Sequence, residues 1–278
     1  MLTDYHVHLR PDDVPATPAE RYLTPANAER YRAVALERGI AELGVAEHVY
    51  RFRQALEYWD HPWWVPQAID DLDDYCAFVR EETDLRLGIE ADFVPGREDR
   101  LANLLGQRPF DYVIGSVHFM RGGAVDMDDE WDVWGSGESP ERVWKRYFET
   151  VAEAAASGLY DVMAHPDLVK VWGRGRPWPD GDLRRYYEPA VEAFHEVGVA
   201  VEVSTAGLRK PVGEIYPSRA FLEMAIDAGL PLALSSDAHV PDQLGHGYER
   251  AVALLADLGV REICVFEGRQ RRMEPLGA

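Results

Sequence analysis

A chain of 278 residues with 46% hydrophobic content can bury one large core, and α/β barrels of roughly 250 residues commonly fold as one unit, so a single domain over residues 1–278 is expected. A formal net charge of −20 repels nucleic acid and anionic membranes at long range, which leaves a small molecule as the expected partner; metal ions and a few cations can reverse the sign locally for a phosphate ester. The two cysteines, Cys76 and Cys264, support neither a disulfide framework nor a cysteine zinc site, and with no basic leader and no run of roughly 18 apolar residues a cytoplasmic, membrane-free protein is expected.

Along the chain, short apolar runs alternate with longer amphipathic stretches, the pattern of βα units around a parallel sheet. Strands are predicted at Thr3 to Tyr5, Ile40 to Val45, Leu85 to Ile89, Tyr112 to Ser116, Asp161 to Ala164, Ala200 to Val203 and Pro231 to Leu234, with Glu262 to Phe266 as an edge or final strand. Helical patterns between them include Pro25 to Arg38, Val143 to Ser157 and Arg219 to Ala228. Gly39, Gly158, Gly198, Gly229 and Gly259 fall where a helix is expected to stop, each shortly before a strand. No Gly-rich phosphate loop follows the first strand, so a barrel-like fold is favoured over an open doubly wound sheet. The aromatic and Pro-rich stretches Tyr58 to Pro66 and Val171 to Pro179 read as long loops over one face, where a lid or specificity wall could sit.

The chemistry lies at the predicted strand ends. His6 and His8 follow the first strand, Glu47 and His48 the second, Glu90 the third, His118 the fourth, His165 the fifth, and Asp237 with His239 the seventh. In a parallel barrel these ends open on one face, so six of the nine histidines converge there. Imidazole nitrogens and carboxylate oxygens together are the donors a divalent metal needs. His6 and His8, two residues apart on an extended segment, share a face. His195 lies in a helical stretch and reads as structural, while His61 and His246 are loop residues able to line a pocket.

These residues resemble the PHP (polymerase and histidinol phosphatase) superfamily, in its histidinol-phosphate phosphatase branch. The resemblance runs through Asp4-Tyr5-His6-Val7-His8, Ala46-Glu47-His48, Gly88 to Phe93, Asp111 to His118, Ala164 to Leu168, Ser204 to Pro211 and Ser235-Ser236-Asp237-Ala238-His239. It implies a distorted (β/α)7 TIM-like barrel holding two or three divalent ions (zinc, iron or manganese). His6, His8, Glu90 and Asp237 would hold one ion and Glu90, His118 and His165 a second, with Glu90 bridging. His48 and His239 would serve a third, together with a histidine soon after the His-x-His pair. Here that stretch reads Leu9-Arg10-Pro11-Asp12-Asp13, so that histidine is missing. Either Asp12 or Asp13 replaces it, or Arg10 fills the space with a permanent charge; a retained pair with an altered third site is favoured. Glu47 is expected to orient a ligand rather than bind metal.

The implied reaction is hydrolysis of L-histidinol phosphate to L-histidinol and phosphate, in histidine biosynthesis, by the hydroxide formed from a metal-bridging water whose pKa falls from about 16 to near 7. Glu90, Asp237 and His239 are the expected catalytic residues, with His239 or a metal-bound water supplying the proton to the leaving alkoxide. Arg209 and Lys170 are the expected phosphate contacts, with Lys210 and Arg174 as further candidates, and Trp63, Trp64 and Trp172 the candidate pocket wall. Another small phosphate ester is the main alternative substrate. A dihydroorotase-like amidohydrolase would employ Arg10 on a substrate carboxylate, yet none of the three lysines, Lys145, Lys170 and Lys210, ends a middle strand where a carboxylated lysine would stand. A non-catalytic scaffold would account for the incomplete third site.

Overall fold

The computed structural model describes residues 1–12 and 19–277. The elements are β1 (Leu2–Asp4), α1 (Pro25–Glu37), β2 (Ile40–Val45), α2 (Leu72–Glu82), β3 (Arg86–Asp92), α3 (Glu98–Gly106), β4 (Tyr112–Ser116), β5 (Phe119–Met120), β6 (Gly123–Ala124), α4 (Pro140–Ala156), β7 (Val162–Met163), α5 (Arg184–Val197), β8 (Ala200–Ser204), α6 (Arg219–Asp227), β9 (Leu232–Ser235), α7 (Tyr248–Asp257), β10 (Glu262–Glu267) and β11 (Gln270–Pro275). The five glycines expected after helices all hold positive φ, between 68° and 82°, the conformation that ends a helix without a Cβ penalty. Among the described residues no helix is long and apolar enough to cross a membrane.

Strands β1, β2, β3, β4, β7, β8 and β9 form one parallel sheet in that order. Its two edges meet just beyond the strand ends, where Val7 bridges Ala238 and the His8 amide donates to the Ala238 carbonyl at 2.8 Å. Lower down, the Ser236 amide donates to Asp4 Oδ1 at 2.9 Å. The sheet is thus a nearly closed, distorted (β/α)7 barrel, as expected.

Alternation along β3 and β4 separates two environments. Leu87, Ile89 and Val113 pack outward in the main apolar core, whereas Tyr112 and Ile114 belong to a second cluster, with Ala46, Ala164 and Ala200, in the barrel interior. Tyr112 fills that interior and donates its hydroxyl to the Tyr5 carbonyl at 2.6 Å. Two glycines make the room, since a Cβ on Gly44 or Gly88 would come within 2.3 Å of the Tyr112 side chain.

The segment Glu262 to Phe266 does not join the sheet, contrary to expectation. It pairs antiparallel with β11, which is too polar and exposed to show an apolar strand pattern. This hairpin stops the end of the barrel where the strands begin. Phe266 packs edge-on against Tyr5, and the Gly268 amide donates to Asp111 Oδ1 at 3.0 Å. Access is left to the opposite mouth. Gly88→Ala is expected to lower the thermal midpoint, with an overpacking cost of about 1–3 kcal/mol, because the buried tyrosine ring has nowhere to retreat; a midpoint at the parental value would show that the ring can move.

Candidate metal centre

The open mouth gathers the strand-end residues around Glu90, which is fully buried. Its Oε2 lies 3.3 Å from His6 Nε2 and 3.7 Å from His8 Nε2, while its Oε1 lies 3.6 Å from His118 Nε2 and 3.4 Å from His165 Nε2. Asp237 Oδ1 stands 3.6 Å from His6 Nε2 and 3.4 Å from His8 Nε2. His48 Nδ1 lies 2.5 Å from Oε2 as well, so the two oxygens of one carboxylate face different sets of imidazoles, three on Oε2 and two on Oε1. Burial alone would push the Glu90 carboxyl up, but His48, His6 and His118 outweigh it and hold the group well below the ordinary carboxylate range.

A shell of carboxylates fixes the rings. Glu202, buried within the apolar strand β8, lies 2.7 Å from His6 Nδ1 and accepts from the Ser235 hydroxyl at 2.7 Å and the His165 amide at 2.6 Å. A carboxylate only accepts, so Nδ1 carries the proton and Nε2 is turned to the centre. Asp92 does the same for His118 at 2.8 Å. Glu47 accepts from the amides of Leu9 and Arg10 and pairs with Arg51, which fixes the chain after His8. Sequence reasoning assigned no role to Glu202 or Asp92; the available signals were a lone acid inside Ala-Val-Glu-Val-Ser and an acid two residues after Glu90. His165 and Asp237 hold φ of +24° and +51°, a region costly for non-glycine residues and concentrated at functional sites.

Several buried polar atoms at this centre have no hydrogen-bond partner: Nε2 of His6 and His8, Nδ1 of His48, both Glu90 oxygens and Oδ1 of Asp237. So many orphans in one place would be prohibitive unless a ligand satisfies them. Four sets of three donors, each mutually within 4.8 Å, occur here, including His6, His8 and Glu90, and Glu90, His118 and His165. Mixed nitrogen and oxygen donors fit divalent cations. The carboxylates that would attract such ions also raise the affinity of His118 for a proton, to about 10, against the effect of burial and chiefly through Asp92. Burial takes His48 to about 3, leaving a neutral ring.

On the side of the mouth next to the altered segment, Asp12 Oδ2 lies 2.9 Å from His239 Nε2 and its Oδ1 lies 3.9 Å from His48 Nε2. Asp12 is thus the residue beside the two histidines. Arg10 instead turns to an ion pair with Asp70, and Asp13 lies outside the described residues. A cavity of about 210 Å³ opens over these groups, bordered by Asp12, His48, His118, His165, Asp237 and His239 and walled by Tyr50, Trp63, Phe119, Trp172 and Tyr216. Trp64 is core.

Lys170 and Arg209, the main cations expected at the phosphate, are not on this wall, and neither is Arg10. Lys170 is 1% exposed, paired with Asp167 at 2.9 Å and Glu214 at 3.2 Å. Arg209 donates to the carbonyls of Ser236 and Asp237, both at 2.8 Å, and braces the turn that carries Asp237 from behind. Arg10 is consumed by Asp70, which also removes the feature that suggested an amidohydrolase. Each buried cation has found a carboxylate or carbonyl, as burial demands. Lys210, next to Arg209 in sequence, is the lysine that borders the cavity. Arg174 lies over the Trp178 ring. His195 bonds the Ala228 carbonyl and His61 pairs with the Gly122 carbonyl, and His246 faces a separate groove.

A family model described as PHP domain matches residues 24–206. A probable histidinol-phosphatase of Deinococcus radiodurans is 34% identical over 285 residues, covering 99% of both chains. The chain belongs to the PHP domain family. The whole-length match also takes in the His6–His8 pair and Asp237 with His239, which flank the segment matched by the PHP model. The histidinol-phosphatase of Bacillus subtilis is 28% identical over 184 residues, 61% of this chain and 69% of that one. A crystal structure of histidinol phosphate phosphatase from Lactococcus lactis, complexed with zinc, L-histidinol and phosphate, superimposes with a TM-score of 0.68 at 18% identity, covering 98% of both chains. At that identity the likeness shows the PHP fold.

Divalent metal is expected to bind with release of protons, so affinity rises with pH across the neutral range; calorimetry in buffers of different ionisation enthalpy reads this directly. Glu202→Gln, which leaves a fold-neutral amide beside His6, is expected to weaken metal binding by roughly 10- to 100-fold in a chelator competition; parental affinity would show that His6 needs no such orienter.

Proposed function

We propose that this chain, as a single domain, hydrolyses L-histidinol phosphate to L-histidinol and inorganic phosphate with divalent metal ions. The observation that carries the reading is Glu90, whose two buried oxygens each face a separate set of imidazoles. The histidinol-phosphatase names of relatives that match along most or all of the chain support the substrate. His6, His8, Glu90 and Asp237 are the donors assigned to one ion, and Glu90, His118 and His165 those assigned to a second. His48, His239 and Asp12 form a third, altered set, with Asp12 standing in for a histidine. Zinc, iron and manganese all suit these donors. Bound divalent ions supply a hydroxide at neutral pH and neutralise charge on phosphoryl oxygens.

The chain's own part is positional. Glu90 and Asp237 hold the histidine rings on converging lines, and the shell of Glu202, Asp92 and Glu47 keeps them there before substrate arrives. His239, bonded through Nε2 to Asp12 at the cavity edge, is placed to hold the proton that the departing alkoxide needs. Lys210 borders the same cavity and is the cation assigned to the phosphoryl group; from sequence it was a further candidate behind Arg209, Lys170 and Arg10.

Phosphate release by metal-reconstituted protein is the test, with histidinol phosphate, a nucleoside monophosphate, a sugar phosphate and dihydroorotate as substrates. Preference for histidinol phosphate is expected. Equal turnover of the other monoesters would overturn the substrate, and hydrolysis of dihydroorotate would overturn the reaction. Glu90→Ala is expected to fold, by circular dichroism, and to release phosphate only at background. Elemental analysis is expected to count two tightly held ions in both the parent and Asp12→Ala; loss of a tightly held ion on that substitution would make Asp12 an essential ligand.

A further inference from the structure

The cavity contains a carboxylate that the metal centre does not use. Asp126 follows the short β5–β6 hairpin in the connection between β4 and α4, and it borders the cavity together with His118, His165 and Tyr216. Its Oδ1 is buried and has no hydrogen-bond partner, and Asp126 belongs to none of the metal-ligating sets. No lysine, arginine or histidine among the described residues lies within ion-pair distance of it. In a chain rich in surface carboxylates most are solvated, so a cavity carboxylate with an unsatisfied oxygen needs a separate explanation.

Its position is built rather than incidental. The Val125 amide donates to the His118 carbonyl at 2.9 Å, and the Ala124 amide to the Trp131 carbonyl at 2.7 Å. The indole of Trp172, arriving from the neighbouring connection after β7, donates to the Val125 carbonyl at 2.9 Å. Three hydrogen bonds therefore fix the two residues before Asp126 and tie it to the strand that supplies His118. The Tyr216 hydroxyl, in the same cavity, is also buried without a partner. Burial pushes the Asp126 carboxyl up, while His118, Lys210 and His165 pull it down less strongly. The carboxylate is thus under-compensated as it stands.

A group that would relieve this is a compact cation brought by the substrate. The amine of histidinol phosphate is cationic throughout the neutral range, whereas an unperturbed imidazole has a pKa of about 6.5 and is largely neutral above it. We infer that Asp126 is the specificity residue that receives the substrate's ammonium group, with the Tyr216 hydroxyl beside it and the Trp172 ring as the neighbouring wall. The inference rests on the histidinol phosphate reading above. It divides the cavity into a metal and Lys210 side for the phosphoryl group and a carboxylate side for the amine.

The test compares histidinol phosphate with its deamino analogue, 3-(imidazol-4-yl)propyl phosphate, in the parent, Asp126→Asn and Asp126→Glu, with metal content measured for each. Asp126→Asn is expected to lower kcat/KM for histidinol phosphate by about 10- to 100-fold, the range for losing a charged hydrogen bond. Turnover of the deamino analogue and metal content are expected to stay at parental values, and Asp126→Glu to recover part of the loss. Binding of L-histidinol by calorimetry is expected to weaken in parallel. An equal loss on both substrates, or lost metal, would make Asp126 a support of the centre and overturn the assignment. So would an Asn variant that keeps the parental preference for the amine. A parent that does not favour histidinol phosphate over other monoesters would instead overturn the substrate reading itself.

Discussion

A negative charge held out of water at the top of a barrel is the constraint on which this structure depends. Glu90 is fully buried, and so are Glu47, Asp92 and Glu202 close to it. Isolated carboxylates there would be protonated or would unfold the barrel. What prevents this is reciprocity: five imidazoles face Glu90, and carboxylates on other strands hold at least two of those imidazoles from behind. The network is balanced in direction but not saturated, because the atoms that point to the middle still lack partners. A site that satisfies its periphery and leaves its centre unsatisfied is organised for cations, since divalent ions can complete several orphan donors at once.

The barrel makes that arrangement possible by separating floor from mouth. Tyr112, packed between Gly44 and Gly88, occupies the lower interior, and the β10–β11 hairpin lies across the end beneath it. Alternation then carries the same face of β3 from Gly88 to Glu90 to Asp92, from filler to proposed ligand to orienter. A tyrosine and two glycines at the bottom thus have a functional consequence: they prevent the interior from acting as a channel and confine the polar chemistry to one end.

Most of the fold was legible in sequence because its signals are local. Strands Ile40–Val45 and Tyr112–Ser116 match the apolar runs, and each glycine predicted to end a helix has the φ that role requires. The convergence of His6, His8, Glu90, His118, His165 and Asp237 was legible for a topological reason, since all lie near or just beyond the C-terminal ends of parallel strands, Glu90 within β3 itself. The fate of the cations was less accessible. Arg10 pairs with Asp70, sixty positions away in sequence, and nothing local to either residue marks the partnership. Lys170 carries a local signal of its fate, for Asp167 stands three residues before it and a buried lysine needs such a partner. Glu202 shows the limit in the other direction: its strand is visible as an apolar run, while its duty to His6 depends on the barrel closing so that β8 comes within reach of β1.

The same division between local and assembled features bears on substrate choice. Ligand-type residues sit at strand ends, where the sheet fixes them to within the tolerance metal coordination requires. The cavity wall comes from connections: Tyr50 and Trp63 after β2, Phe119 and Asp126 after β4, Trp172 after β7, and Lys210 after β8. Connections can change without disturbing the sheet, so a barrel can keep one hydrolytic centre while its walls select among esters. In this chain the wall is tied down as well, with the Trp172 indole bonded to Val125 of the neighbouring connection and Tyr50 stacked on His48 at a centroid distance of 4.6 Å. Charge placement sharpens the point. A protein of net charge −20 that must accept a phosphate ester has reason to keep negative groups off its cavity. An unpaired Asp126 beside that cavity is intelligible when the ester also carries a positive charge for it to meet.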